Sequence, residues 1–380
     1  MNTPNTAAPV RLDLKAHLRA LTETHAPSGH EAAVRAVIRD AWSPYVDAFA
    51  VDAVGNLIAT RRGTQPENAP RRTIMLAAHM DEIGMMVNAV VDGFVFVHRI
   101  SGVDARLLLA QPVLIHTAAG PIAGVVAARP PHLQTPGSAK KYPTFPELVI
   151  DPGLPAAEVA ARVRIGDLIT IDAPFTELLG TRVCGKAFDD RACVAAVTVC
   201  LEALRGVLHT WDVVAVATVQ EETGMRGAKV SAFQVQPDIA IALDVGFAPQ
   251  PGVSGDSTIE MGGGPGLGIG PNFHPRLNER IREAAKALEM RVQDDPLPGN
   301  SGTDAWAIQV ARSGVPTALL EVPVRNMHSP VETADLRDIE RIGRLMSHFI
   351  ARLDDGFMAS IAWPDRVSLL DDAADGGDAP

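Results

Sequence analysis

The chain has 380 residues, 47% hydrophobic and 21% charged, with a formal net charge of -11 at pH 7. That length and apolar content suffice for two packed domains, and no apolar run is long enough to span a bilayer, so a membrane partner is not expected. The acidic balance argues against nonspecific nucleic-acid binding and leaves the fold open. The first ten residues are polar and lack the basic-then-apolar pattern of a secretory signal, which reads as a cytoplasmic protein. Cys184, Cys193 and Cys200 are odd in number and form no CxxC pair, so a disulfide framework and a thiolate zinc site are both disfavoured and core positions are expected.

Residues 12–22 and 31–42 carry helical periodicity, whereas 51–60 and 73–78 are strand-like, a mixed α/β beginning. From 84 to 175 the pattern changes to short runs, 94–100, 112–116, 122–127 and 168–171, punctuated by Gly and Pro turns. This predicts a small β-rich insertion, in which 130–147, with Pro, Gly, Ser and two Lys but no periodicity, forms an exposed loop. Helix-sized and strand-sized runs alternate again to about 353, including amphipathic segments 275–290 and 336–353. The expected organisation is a discontinuous α/β domain over 1–83 and 176–360, an insertion at 84–175, and a disordered tail at 361–380 that ends in a stretch rich in Asp, Ala and Gly.

Potential ligands gather where apolar runs end. Glu221 and Glu222 follow the run 211–219, and two adjacent carboxylates at such a place repel each other unless a proton or a cation is bound. His79, Asp81 and Glu82 follow 73–78, Asp244 follows 239–243, and His328 follows 317–322 after a short loop. Asp189 and Asp190 open the helix-like stretch 192–204. In open α/β sheets functional groups collect beyond the carboxyl ends of the strands, so these distant residues predict one metal site.

Blander readings hold elsewhere. His17, His25, His30, His98, His116, His209, His274 and His348 read as core or surface residues. Glu332 reads as a cap for a helix after Pro330, Asp304 as a cap for a helix at 306–310, and Arg191 as a partner for a nearby carboxylate. The glycine run 262–270 lacks the Lys-Ser/Thr ending of a phosphate loop and reads as a close backbone approach to the site.

The segments Ala78-His79-Met80-Asp81-Glu82-Ile83-Gly84, Asp189-Asp190-Arg191, Val219-Gln220-Glu221-Glu222-Thr223-Gly224, Ala242-Leu243-Asp244-Val245-Gly246, Gly302-Thr303-Asp304-Ala305 and Met327-His328-Ser329-Pro330-Val331-Glu332 occur in that order. In motif and order the chain resembles the M42 metallo-aminopeptidases, the glutamyl-aminopeptidase and TET group. The resemblance implies a mixed-sheet metallopeptidase (phosphorylase/hydrolase-like) domain with an inserted small β-barrel used for dimerisation, and dimers that build a tetrahedral dodecamer acting on peptides. It further implies two divalent cations, zinc or cobalt, bridged by Asp189, with His79 and Asp244 completing one position and Glu222 and His328 the other. Nitrogen and oxygen donors suit those metals. Asp81 would orient His79, and Glu221 would act as general base for a metal-bridging hydroxide that removes N-terminal residues. A cis peptide between Asp189 and Asp190 belongs to the same resemblance.

Two other activities stand beside this one. A dinuclear amidohydrolase, deacylase or dipeptidase, would use the same ligands with a different pocket. An endoglucanase-type glycoside hydrolase needs only two carboxylates and has no use for the histidines. Asn326, where the family commonly has Tyr, Ser301, where it has Gly, and Pro152, at a commonly apolar position, depart from the pattern without removing a ligand; the first two bear on the substrate pocket.

Overall fold

A computed structural model describes residues 11–66, 70–133, 142–256 and 258–363. Residues 134–141 of the loop expected at 130–147, and the tail from 364 onward, lie outside these residues. The chain opens with helices α1 (Leu14–Glu23) and α2 (Ala32–Trp42) and strands β1 (Ala48–Val51), β2 (Leu57–Arg61) and β3 (Thr73–His79). Next come β4 (Gly84–Val91), β5 (Phe94–Ile100), α3 (Ala105–Leu108), β6 (Pro112–Thr117), β7 (Gly120–Ala128), β8 (Leu148–Asp151), α4 (Ala156–Arg162) and β9 (Leu168–Ile171). They are followed by β10 (Thr176–Glu177), β11 (Arg182–Gly185), α5 (Phe188–Ala203), β12 (Asp212–Thr218), α6 (Arg226–Val235) and β13 (Ile239–Phe247). The described chain closes with β14 (Gly266–Ile269), α7 (Pro275–Ala287), β15 (Gln293–Pro296), α8 (Asp304–Ile308), β16 (Thr317–Val324), β17 (Glu332–Asp335), α9 (Leu336–Ile350) and α10 (Phe357–Ile361).

Eight strands form one mixed sheet in the order β1-β2-β12-β3-β13-β16-β14-β15. Its centre, β12-β3-β13-β16, is parallel, so the carboxyl ends of four strands share one edge. β12 and β16 are buried along their whole length, as a sheet covered on both faces requires. Helix α5, buried over most of its length, packs with α1, α2 and α9 on one face, and α6 and α8 cover the other. The six strands β4-β5-β8-β7-β6-β9 close into a separate barrel with its own core, including Val87, Val97, Ile115, Ile150 and Ile169. A small sheet, β10-β11-β17, completes the strands.

The elements differ from the sequence reading in a few places. The run 51–60 is a hairpin, because the Asp52 carboxylate accepts from the backbone N–H of Val54, Gly55 and Asn56 at 2.9 to 3.1 Å and turns the chain. Strand β13 continues past Asp244 to Phe247, so Asp244 lies within the strand. Glu332 caps no helix: it begins β17, and the cap of α9 is Asp335, which accepts from Arg337 N. Asp304 occupies the first turn of α8 and takes a hydrogen bond from Thr218 Oγ1 at 2.5 Å instead of capping. The glycine run approaches the chain before β15 and the start of α9, not the ligand cluster: a Cβ on Gly264 would lie 2.3 Å from the Arg291 carbonyl oxygen, and Gly262 and Gly264 donate to Asp338. Ile361 is buried and Trp363 lies against His274, so ordered packing reaches past the expected start of the tail. Cys193 and Cys200 are buried, whereas Cys184 on β11 is only half-buried.

Candidate metal centre

The strand edge brings the predicted ligands together. His79 ends β3, and its Nε2 lies 3.0 Å from Asp189 Oδ1. His328, in the loop after β16, places its Nε2 3.1 Å from the other oxygen of the same carboxylate, Asp189 Oδ2, and 3.4 Å from Glu222 Oε1. Asp189 thus faces one imidazole with each oxygen. His79, Asp189 and Glu222 offer ligand atoms within 4.8 Å of one another, as do His79, Asp190 and Asp244. Asp190, among the potential ligands in the sequence but outside the ligand set that the resemblance implies, joins the cluster; its Oδ2 accepts from His79 N at 3.1 Å. The peptide between Asp189 and Asp190 is cis.

The donor set and its loose ends fit divalent cations. Glu222 Oε1 and Asp190 Oδ1 are buried without a hydrogen-bond partner, a costly state for carboxylate oxygens unless something else engages them. Cys193 takes no part as a ligand and donates instead to the Asp244 carbonyl at 3.0 Å. Nitrogen and oxygen donors without thiolate are compatible with zinc or cobalt.

Buried carboxylates hold the surrounding loops. Glu332 accepts from Phe188 N at 2.6 Å, Asp189 N at 3.1 Å and His328 N at 2.8 Å, tying the two ligand-bearing segments to one side chain. Asp81 accepts from Glu221 N at 3.0 Å and Glu222 N at 3.3 Å and also from the Ser28 hydroxyl. Its distance to His79 Nδ1 is 3.5 Å, so Asp81 faces the ring while its close hydrogen bonds go to the glutamate pair. Arg191 is fully buried and reaches Glu82 at 3.3 Å, the carboxylate pairing expected for it, while also donating to the carbonyls of Met80 and Leu21.

Electrostatically, the cluster holds more negative charge than two imidazoles can balance. Burial pushes Glu221 up to about 10, helped by repulsion from Asp244, Asp304 and Glu222 and opposed by His79. Asp244 and Asp190 are raised well above the carboxylate range, by burial first and then by neighbouring carboxylates. Burial opposes charge on both histidines, but Asp189 with Asp81 around His79, and Asp189 with Glu222 around His328, outweigh it; His328 rises to about 11. Burial would raise Asp189 too, yet hydrogen bonds to both imidazoles hold it below the usual range. Bound divalent cations would supply the missing positive charge, pulling the raised carboxylates and histidines down and keeping Asp189 low.

All seven residues singled out as ligands or catalytic groups, His79, Asp81, Asp189, Glu221, Glu222, Asp244 and His328, therefore meet at one edge, buried or half-buried. The resemblance assigned no ligand role to Asp190, and the sequence reading missed Glu332 as a clamp and Ser101, whose hydroxyl donates to Glu222 Oε2 at 2.5 Å. The first two lie inside recognised motifs and differ only in role, whereas Ser101 carries no local signal.

The profile of the M42 glutamyl aminopeptidases matches residues 55–345. The chain is 37% identical over 342 residues to the lysyl aminopeptidase of Pyrococcus furiosus, covering 88% of this chain and 96% of that one. It superposes on a TET aminopeptidase from a marine-sediment thaumarchaeon with a TM-score of 0.85 and 32% identity, covering 92% of this chain and 99% of that one. The TET1 peptidase of Pyrococcus horikoshii, described as able to assemble into a tetrahedron or a large octahedral shell, matches with a TM-score of 0.78 and 30% identity, over 90% of this chain and 100% of that one. Six ordered motifs, a shared architecture and near-full-length similarity agree: the chain belongs to the M42 glutamyl aminopeptidase family.

Proposed function

We propose that this M42 aminopeptidase removes N-terminal residues from peptides using two divalent cations, zinc or cobalt by its donor set. Asp189 would bridge them, with His79 and Asp244 on one side and Glu222 and His328 on the other. The observation that carries this reading is the Asp189 carboxylate, whose two oxygens face His79 Nε2 at 3.0 Å and His328 Nε2 at 3.1 Å. Cations at these positions would supply Lewis acidity, polarising the scissile carbonyl and making a water easier to deprotonate.

The protein's own groups supply the rest. Glu221 is buried, and its Oε2 stands 3.9 Å from His79 Nε2, too far for a hydrogen bond; ionised once bound cations bring its raised pKa down, its carboxylate would take a proton from the attacking water and deliver it to the leaving amine. Asp81 holds the backbone of Glu221 and Glu222 and so aims both side chains. The substrate's free α-amino group would be retained by carboxylates of the cluster, which limits cleavage to the first peptide bond.

We further infer that 1–83 and 176–360 act as the catalytic unit and that the barrel within 84–175 serves dimerisation, with dimers building a tetrahedral dodecamer. The tetrahedral assembly described for the P. horikoshii relative supports this. The test is hydrolysis of matched short peptides with free and acetylated N-termini by chelator-treated enzyme, with and without restored zinc or cobalt. Metal-restored release of only the first residue, from only the free peptides, is expected; cleavage of the acetylated peptides would favour a deacylase or endopeptidase.

A further inference from the structure

We infer that the inserted barrel completes one half of the metal centre, with Ser101 and Gly102 acting as positioning residues for Glu222 and His328. The inference rests on the two-cation reading above. Ser101 and Gly102 lie in the loop between β5 and α3, within the insertion. The Ser101 hydroxyl donates to Glu222 Oε2 at 2.5 Å. That bond occupies one carboxylate oxygen and leaves the other, Oε1, buried, without a hydrogen-bond partner and 3.4 Å from His328 Nε2. Ser101 thereby selects which oxygen of Glu222 faces the cation position.

Gly102 acts on the histidine. A Cβ there would lie 2.1 Å from His328 Nδ1 and 2.6 Å from Cε1, so the loop backbone rests against the outer edge of the imidazole. The inner edge faces Asp189 and Glu222. The ring is bracketed between the loop and the ligands, and its own backbone N–H is held by Glu332 at 2.8 Å. Such outer contacts fix ligand orientation and basicity.

The other half is built differently. His79 and Asp244 sit on β3 and β13 of the main sheet, and among the described residues, beyond the sheet's own ladder, their hydrogen bonds and ion pairs go to Asp81, Asp189, Asp190, Glu221, Val245 and Cys193, none of them in the barrel. Disturbing the barrel loop should therefore weaken one cation and spare the other. By reciprocity, occupancy of that position should bias the seating of the barrel against the catalytic sheet.

The experiment uses the full-length protein, stripped by chelator and titrated with zinc against a chromophoric competitor, with bound metal counted by mass spectrometry. Wild type should hold two ions per subunit. Ser101→Ala should weaken one of them about tenfold to a hundredfold, leaving the other ion unchanged. Gly102→Ala, whose methyl group would displace His328, should weaken the same ion further. A purely architectural role would instead weaken both ions equally, and that result overturns the inference, as does Ser101→Ala binding both ions like wild type. A wild type that holds fewer than two ions overturns the two-cation reading and this inference with it.

Discussion

Individual side chains at the strand edge divide into those that would hold metal and those that would move protons, and substitution separates the two. Glu221→Gln should keep the metal content of wild type while lowering kcat by about a hundredfold to ten-thousandfold, the usual worth of a positioned acid-base group. His79→Ala and Asp189→Ala should lose metal as well, because each removes a donor atom from the cluster. Peptide hydrolysis read beside bound metal distinguishes these outcomes, and normal turnover by Glu221→Gln would remove it from the proton-transfer role. Residue identity was legible in the sequence wherever a carboxylate or histidine followed an apolar run. Role was less so: Glu332 has the chemistry of a helix cap, and only the pairing of Gly185 with Glu332 across β11 and β17 sets its carboxylate beneath the backbone of Phe188 and Asp189.

Between elements, the buried hydroxyl of Thr198 joins three helices. On α5, it donates to the Val194 carbonyl at 3.0 Å, accepts from Trp42 Nε1 of α2 at 2.9 Å, and meets His17 Nε2 of α1 at 2.9 Å. Thr198→Val keeps the shape but strands the indole N–H and the imidazole, at a cost of about 1–3 kcal/mol for each group left unsatisfied, readable as a lower urea midpoint. Burial lowers the pKa of His17 to about 4, below its ordinary 6.5. The unfolded chain therefore binds this proton first on acidification, so stability falls as pH drops from 6.5 towards 4 and this contribution levels off below that. Burial pushes Glu82 up, but Lys186 and Arg191 outweigh it and hold it at about 2. Its contribution is intact above the ordinary carboxylate range and is lost as pH falls from there through about 2, a separate and more acidic window. His17→Gln should make the upper window of the urea-midpoint profile shallower without abolishing it, since burial also lowers His25 to about 4, and should leave the lower one.

The contact between α5 and α9 makes an opposing pair of effects decidable. Gly343→Ala should gain about 1 kcal/mol in helix propensity. Its Cβ, however, would come within 2.5 Å of Val199 Cβ and 2.7 Å of the Ala196 carbonyl oxygen, neither of which can yield without moving the helix. Overpacking of this kind costs about 1–3 kcal/mol, so net destabilisation is expected in a denaturant titration. Periodicity predicted both helices, but nothing in either repeat shows that Gly343 meets Val199, because that depends on how the helices cross.

For the whole molecule, the expected assembly is the broadest claim and the simplest to overturn: light scattering should report dimers or larger particles. A fully active monomer would show that neither barrel-mediated dimerisation nor an enclosed chamber is needed for catalysis. The sequence by itself determined the mixed α/β class, the run of short strands after residue 84, and the carboxylates and histidines at the ends of apolar runs, because burial periodicity and strand-end chemistry are local properties. Tertiary structure alone decided the strand order, the continuation of β13 beyond Asp244, the clamp at Glu332 and the reach of Ser101 to Glu222. Those features join segments far apart in the chain, and long-range pairing follows from how sheets, helices and barrel pack together, which no single run of residues records.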